Sequence, residues 1–216
     1  ALTSLRHISL EATRVADIAP LAGLPRLRTL WAFETQLVNL APLARLTGLQ
    51  ALILDRTPVA DLAPLAGLTR MVQLNLGGTQ VADLAPLAGL TDLTFLELGD
   101  TQVADLGPIA DLTKLERLSL DGTQVFDLAP LAGLTKLEHL SLSRTPVADL
   151  GALAGLSSLK RLDLGGGGVV DATPLASLPD LTVYVNGLPI QVTDSARESR
   201  SPRPERPTSH GGADRN

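Results

Sequence analysis

The sequence predicts an α/β solenoid: a curved rod with a parallel β-sheet along its concave face and short 3-10-like turns along its convex face. Three observations predict it. The stretch GTQVADLAPLAGLT at 78–91 returns as GTQVFDLAPLAGLT at 122–135 and, more loosely, as DTQVADLGPIADLT at 100–113. Leucines that open this unit stand at Leu2, Leu24, Leu46, Leu68, Leu90, Leu112, Leu134, Leu156 and Leu178, a constant step of 22 residues without insertions. Within each unit a period-two segment is followed by the punctuation of one tight helical turn. A unit of this kind cannot bury its leucines alone, whereas copies stacked in register share one continuous core.

The strand comes first in each unit. In L-x-x-L-x-x-L-x-L-x-x-T-x-V-x-D-L-x-P-L-x-x, best seen in Leu112, Leu115, Leu118, Leu120, Thr123, Val125, Asp127, Leu128, Pro130 and Leu131, the L-x-L pair alternates as a strand does when it shows one face to a core. The turn follows. Asp127 is suited to cap its free N–H groups, Pro130 occupies a position that needs no donor, and Gly133 suits the exit. About seven residues with an internal proline leave room for a 3-10 turn rather than a full α-helix. With strands about 4.8 Å apart, eight regular units build the parallel sheet.

Composition narrows the function classes. The chain has 216 residues, is 44% hydrophobic and 19% charged, and carries a formal charge of −5, which describes a globular protein with ample core material. That acidity speaks against nucleic-acid binding, which calls for a basic face. The absence of cysteine excludes disulfides and thiolate metal sites. No apolar run reaches the roughly 18 residues of a membrane span, so no membrane insertion is expected. Ala1 is not an initiator methionine and Leu2 already opens a complete repeat, which reads as a fragment of a longer chain. The cellular location stays open.

These units resemble bacterial leucine-rich repeats of the 22-residue internalin type, with Thr123 standing where that family usually carries asparagine. The match runs from residue 2 to about 186. The resemblance implies a non-catalytic recognition module whose concave sheet binds another macromolecule, commonly a protein, and a secreted or cell-surface location. An alternative is the sensor or substrate-recruiting arm of a larger bacterial effector or signalling enzyme. The sequence departs from the family at Thr13, Thr35, Thr57, Thr79, Thr101, Thr123 and Thr145, where a hydroxyl offers one donor and an amide two, so a thinner ladder is expected. The expected N-terminal cap is missing too, so Leu2, Leu5, Ile8 and Leu10 should expose an apolar edge open to fraying or self-association.

The C-terminal end is different. The eighth unit runs into Gly165–Gly168 and loses its threonine, which predicts the loosest turn. In the ninth, Tyr184 and Asn186 stand where leucines belong, and Asn186-Gly187 signals a hairpin within 181–193. The leucine-rich-repeat domain is therefore expected over 1–193. Residues 194–216, rich in Ser, Pro and Arg and without periodic apolar positions, are expected to form a disordered tail.

Recognition should be written in the variable places flanking the strand leucines. The sixth place reads His7, Thr29, Ala51, Gln73, Phe95, Arg117, His139 and Arg161; the eighth reads Ser9, Trp31, Ile53, Asn75, Glu97, Ser119, Ser141 and Asp163. The tenth reads Glu11, Phe33, Asp55, Gly77, Gly99, Asp121, Ser143 and Gly165. Trp31, Phe33 and Ile53 make an apolar patch, with Phe95 as a further candidate, and such patches explain themselves when they anchor a partner. Cover by sequence preceding Ala1 is the competing explanation. Arg117, His139 and Arg161 share one column and suit an acidic or phosphorylated segment, unless they pair with Glu97, Asp121 and Asp163 on a solvated face.

Other chemistry finds little support. The column Asp17, Asn39, Asp61, Asp83, Asp105, Asp127, Asp149 and Asp171 supplies one oxygen-bearing side chain per unit, which fits turn capping better than calcium, a cation that gathers six to eight oxygens at one point. Zinc lacks clustered His and Cys. Ser141, His139 and Asp163 are the only triad-like group, on a flat sheet with nothing to hold an oxyanion. No cofactor, metal or catalytic residue is expected.

Overall fold

The computed structural model describes residues 4–166 and 171–190. Among these described residues, ten strands form one open sheet in sequence order: β1 (His7–Ser9), β2 (Thr29–Trp31), β3 (Ala51–Ile53), β4 (Gln73–Asn75), β5 (Phe95–Glu97), β6 (Arg117–Ser119), β7 (His139–Ser141), β8 (Arg161–Leu164), β9 (Thr182–Val185) and β10 (Leu188–Ile190). From β1 to β9 every pairing is parallel, and from β1 to β8 the register advances by 22 residues, as in His7↔Thr29, Leu118↔Leu140 and Ser141↔Asp163. A 3-10 turn follows each of the first eight strands, such as Ala129–Gly133 after β6. The turns pack on one another as the strands do, which closes each unit into a coil with its leucines inside.

The core is continuous from Ile18 to Val183. Strand leucines such as Leu52, Leu74, Leu96 and Leu118 meet the turn leucines Leu65, Leu87 and Leu131 and the unit-opening leucines between them. Each such side chain is worth about 1.5–3 kcal/mol of burial, but only when a neighbouring coil covers it. The first coil shows the converse: Ile8, Leu10, Val15, Leu21 and Leu24 are only partly buried, and Thr13 is exposed where its counterparts Thr35 to Thr145 are buried.

Polar groups inside the coil are satisfied within it. Each threonine of the column donates from Oγ1 to the carbonyl three residues earlier, as Thr57 does to Leu54 and Thr123 to Leu120 at 2.6 Å. These bonds close the bend after the strand inside one coil rather than joining coils, so the thinner ladder is in fact a set of local staples. The capping column behaves as expected in every unit. Asp17, Asn39, Asp61, Asp83, Asp105, Asp127, Asp149 and Asp171 each accept from the N–H two residues on, at 2.7–2.9 Å. This places the cap one residue ahead of the turn's own first flank, in an Asx-type geometry. Pro130 sits in the first two positions of its turn, where no donor is lost.

One expectation is narrowed. Gly133 is the last residue of its turn, at the exit, but it holds no positive φ. The left-handed residue is the one before the threonine: Ala12, Glu34, Arg56, Gly78, Asp100, Gly122, Arg144 and Gly166 all have φ between 53° and 67°. The chain reverses here after each strand, and sequence showed it only as a column where glycine recurs.

The C-terminal end carries a correction. β8 and β9 pair as Arg161↔Thr182 and Leu162↔Val183, one residue short of the 22-residue step. A one-residue shift exchanges the two faces of a strand, so Val183 fills the leucine place and is fully buried, while Tyr184 turns to the concave face. Asn186 and Gly187, both with positive φ, then form the expected hairpin turn into antiparallel β10. Asn186 Oδ1 also accepts from Gly166 N–H at 2.9 Å, tying the hairpin to the eighth coil. Gly167 and Gly168, residues 191–193 and the 194–216 tail lie outside the described residues.

Two predictions follow from this packing. Leu118→Asp places an unpaired charge in the core and is expected to cost several kcal/mol, about 3–5, whereas Arg117→Asp at the exposed neighbouring position on the opposite face costs about 0.5 or less; urea unfolding of both variants checks the register, and equal losses would refute it. Gly78→Ala is expected to lose about 1 kcal/mol because the added Cβ disfavours positive φ, while Gly133→Ala leaves stability unchanged or raises it by up to about 1 kcal/mol.

Candidate functional site

The strand residues that miss the core all point to one face, and the register places them in three parallel rows. The sixth and eighth places flank the buried strand leucine, and the tenth follows the strand. Trp31 is 46% exposed on β2, in direct register with Ile53 on β3. Phe33 follows β2 and is half-buried, as are Ile53 and Phe95. The patch read from sequence is thus assembled around Trp31, Phe33 and Ile53, while Phe95 stands two strands further on, beside Arg117.

Beyond Phe33 and Ile53 the tenth-place row sinks into an open trough of about 640 Å³, lined by Asp55, Asn75, Gly77, Glu97, Gly99 and Asp121. Two successive glycines make its floor. A Cβ on Gly77 would come within 2.9 Å of Asp55 Oδ1, and one on Gly99 within 2.7 Å of Glu97 Oε1. Without those carbons the carboxylates lie down onto the backbone, and Glu97 accepts from the Gly99 N–H at 2.7 Å. Asp121 accepts from the Ser141 hydroxyl at 2.5 Å and from the Ser143 N–H at 2.8 Å. The rim is charged: Glu34 pairs with Arg56 at 2.7 Å and Asp100 with Arg144 at 2.9 Å. These pairs are exposed and contribute at most about 1 kcal/mol each.

The trough perturbs its own acids. Burial pushes Glu97 above its ordinary value near 4.5, opposed by hydrogen bonds from Gly99 and Ser119 and reinforced by repulsion from Asp55 and Asp121. Burial likewise raises Asp55, against hydrogen bonds from its own and the Gly77 N–H, the Asn75 amide and the charge of Arg56. Sequence listed these acids only as members of rows. The signal was available in two consecutive tenth-place glycines next to acids, but which way the carboxylates lean is a matter of side-chain packing.

The basic column is assembled as expected, Arg117↔His139↔Arg161 across β6, β7 and β8. Its members differ in what they touch. Arg161 forms a two-pronged bond to Asp163 on its own strand, 2.7 Å from both Nε and Nη2, and its guanidinium lies 4.0 Å from the centre of the Tyr184 ring. Arg117 is exposed, and among the described residues neither it nor His139 has an ion pair or side-chain hydrogen bond. Glu97 and Asp121 are occupied by backbone N–H groups and serines instead. The triad-like group does not form, because Ser141 donates to Asp121 and Asp163 holds Arg161.

Coils of one strand and one 3-10 turn, stacked at a 22-residue step around a leucine core with a variable concave face, define a leucine-rich-repeat protein. No protein-family model matches the sequence, and no curated protein matches it at a significant level. Solved structures do. Internalin C2 (inlC2) of Listeria monocytogenes is 35% identical with a TM-score of 0.83, over 85% of this chain and 82% of that one. Another internalin of that organism, inlF, is 34% identical with a TM-score of 0.82, over 85% of this chain and 54% of that one. A leucine-rich-repeat protein of Leptospira interrogans shares the fold at 22% identity and a TM-score of 0.80, over 85% of this chain and 49% of that one. The chain belongs to the internalin-like bacterial leucine-rich-repeat proteins, and it spans about half the length of inlF. Proteins built this way typically mediate protein–protein interactions.

The pKa shift at Glu97 gives a prediction with a definite sign. A carboxyl whose folded pKa is raised penalises the folded state above that pKa, and the penalty is relieved as pH falls through it. Glu97→Gln is therefore expected to raise Tm at pH 7, with the gain shrinking as the pH approaches 4.5 and below, where the glutamate is protonated in both states. Calorimetry across that range checks it; a loss of stability at pH 7 would mean that the carboxylate's hydrogen bonds outweigh its burial.

Proposed function

We propose that this chain is a non-catalytic protein-recognition module that binds its partner on the concave face, anchored on Trp31, Phe33 and Ile53. One observation carries the reading. In a chain with five aromatic residues, a half-exposed tryptophan stands in register beside a half-buried isoleucine, with a phenylalanine two residues on, at the mouth of the trough. Exposed aromatics of this kind are costly unless a partner covers them, and tryptophan dominates interface hot spots. The strand leucines beneath are fully buried, so the patch rests on a rigid base and little ordering is required when it is covered. A plant peptide hormone receptor of the same general fold, RGFR1, is seen in complex with RGF2, at 18% identity and a TM-score of 0.67 over 78% of this chain and 30% of that one.

Self-association is proposed as a secondary property of the first coil, where Ile8, Leu10, Val15, Leu21 and Leu24 lack full cover. The two surfaces separate by experiment, since one lies on the sheet face and the other on the end of the stack.

Replacing Trp31 and Phe33 together by alanine is expected to abolish capture of the protein partner from lysates while lowering Tm by only a few degrees, since two partly exposed side chains at about 0.5 kcal/mol each amount to about 1 kcal/mol. Undiminished capture by the folded double variant would overturn the assignment of the patch.

A further inference from the structure

The eighth coil shows what a sixth-place cation does when an acid stands two residues on: Arg161 closes on Asp163, both oxygens taken. In the sixth and seventh coils the same position holds Ser119 and Ser141, short and uncharged. Their hydroxyls serve the acids of the trough, Ser119 toward Glu97 and Ser141 toward Asp121. Arg117 and His139 are thus left side by side on paired strands, about 4.8 Å apart in backbone spacing, without an ion pair or side-chain hydrogen bond of their own among the described residues. They border a recess of about 160 Å³ closed at one end by Phe95 and at the other by the Arg161–Asp163 pair. We propose that Arg117 and His139 form an anion-accepting subsite that receives a carboxylate side chain from an acidic segment of the partner protein, the role Asp163 plays for Arg161 within the chain.

The chemistry suits a carboxylate. A guanidinium presents a planar fork that matches its two oxygens, and the Arg161–Asp163 pair realises that geometry one strand from the empty position. Phe95 offers an apolar wall for the methylene stem of a glutamate. His139 adds a dependence on pH. Burial pushes its imidazole below the ordinary value near 6.5, reinforced by Arg117, Arg161 and Lys160 and opposed by Glu138. Glu138 is itself held by Lys160 at 2.8 Å, Asp163 by Arg161, and Asp121 by Ser141, so no free carboxylate faces the ring. At pH 7.5 the ring is neutral; it becomes a second cation only as the pH falls through its lowered pKa, and an incoming carboxylate favours that charged form.

The inference deepens the concave-face reading above and rests on it only in taking that face as accessible. Its test uses the full chain with acetylated hexaglutamate as probe, hexaglutamine as uncharged control and a phosphoserine peptide of equal charge. Titration by NMR follows three histidines. Hexaglutamate is expected to raise the midpoint of His139 alone and to bind severalfold more tightly at pH 5.5 than at 7.5. Arg117→Gln should weaken binding at least fivefold at both values, and His139→Gln should remove the pH dependence while retaining the binding seen at pH 7.5. The Trp31→Ala, Phe33→Ala variant should bind the probe as the parent does, so failure of the patch and failure of this subsite are told apart. Hexaglutamate binding no tighter than hexaglutamine, or unaffected by Arg117→Gln, overturns the subsite; binding of the phosphoserine peptide alone overturns the carboxylate assignment.

Discussion

Every coil depends on the coil beside it, because three-residue strands and single 3-10 turns are too short to bury a leucine by themselves. Burial, backbone pairing and turn packing all run along the stack, and all are satisfied by the same 22-residue translation. A displacement of one residue would turn the leucine column toward solvent. The constraint explains why the repeats keep their length strictly and why the departures gather at the two ends. At the N-terminal coil the apolar side chains have half a neighbour; at the C-terminal coil the step shortens and a hairpin takes over the covering role.

Within that constraint the two recurring polar columns are kept inside their own coil. The threonine staples the bend after the strand, the aspartate or asparagine caps the turn, and neither reaches across to the next unit. Those columns leave stacking mainly to leucines and backbone, and the side-chain bonds that do cross between coils, such as Ser141 and Ser143 to Asp121, lie on the variable concave face. The left-handed residue before the threonine is the one strained point of the cycle. Non-glycine residues such as Glu34, Arg56, Asp100 and Arg144 hold it at a local cost of about 1 kcal/mol or more, and each of these four is also a partner in an ion pair along the rim. Strain and charge thus fall on the same column at the edge of the trough.

The fold was legible because periodicity is a backbone property. The register and the rows follow from spacing and the hairpin from the Asn186-Gly187 turn signal, and the structure reproduces them. What spacing could not show is where its own rule lapses: Tyr184 looked like a misplaced core residue until the one-residue shortening moved Val183 into the core. The reversal point was hidden similarly, since a charged Arg56 or Arg144 gives no hint of positive φ. For the candidate site, sequence brought together the members of each row but not their engagements. Arg117, His139 and Arg161 read as equivalent, and the distinction between a satisfied Arg161 and an open Arg117 turns on Asp163 against Ser119 two residues along. The trough escaped notice because it is made by absent side chains at Gly77 and Gly99.

The resulting surface has an ordered layout: an apolar patch on and beside β2 and β3, an acidic trough through the middle coils, and a cationic pair on β6 and β7. Adjacent features of unlike character favour a partner with matching segments in one orientation. All of this rests on the claim that whole coils are the interchangeable unit of the fold, and removal of one complete coil tests that claim most directly. Deleting residues 78–99 preserves the phase of every column. It should leave a cooperative urea transition with the denaturant slope lowered by roughly a tenth, in proportion to the surface removed. Loss of cooperative folding in that variant, or equally cooperative folding after a phase-breaking deletion of residues 78–97, would contradict it.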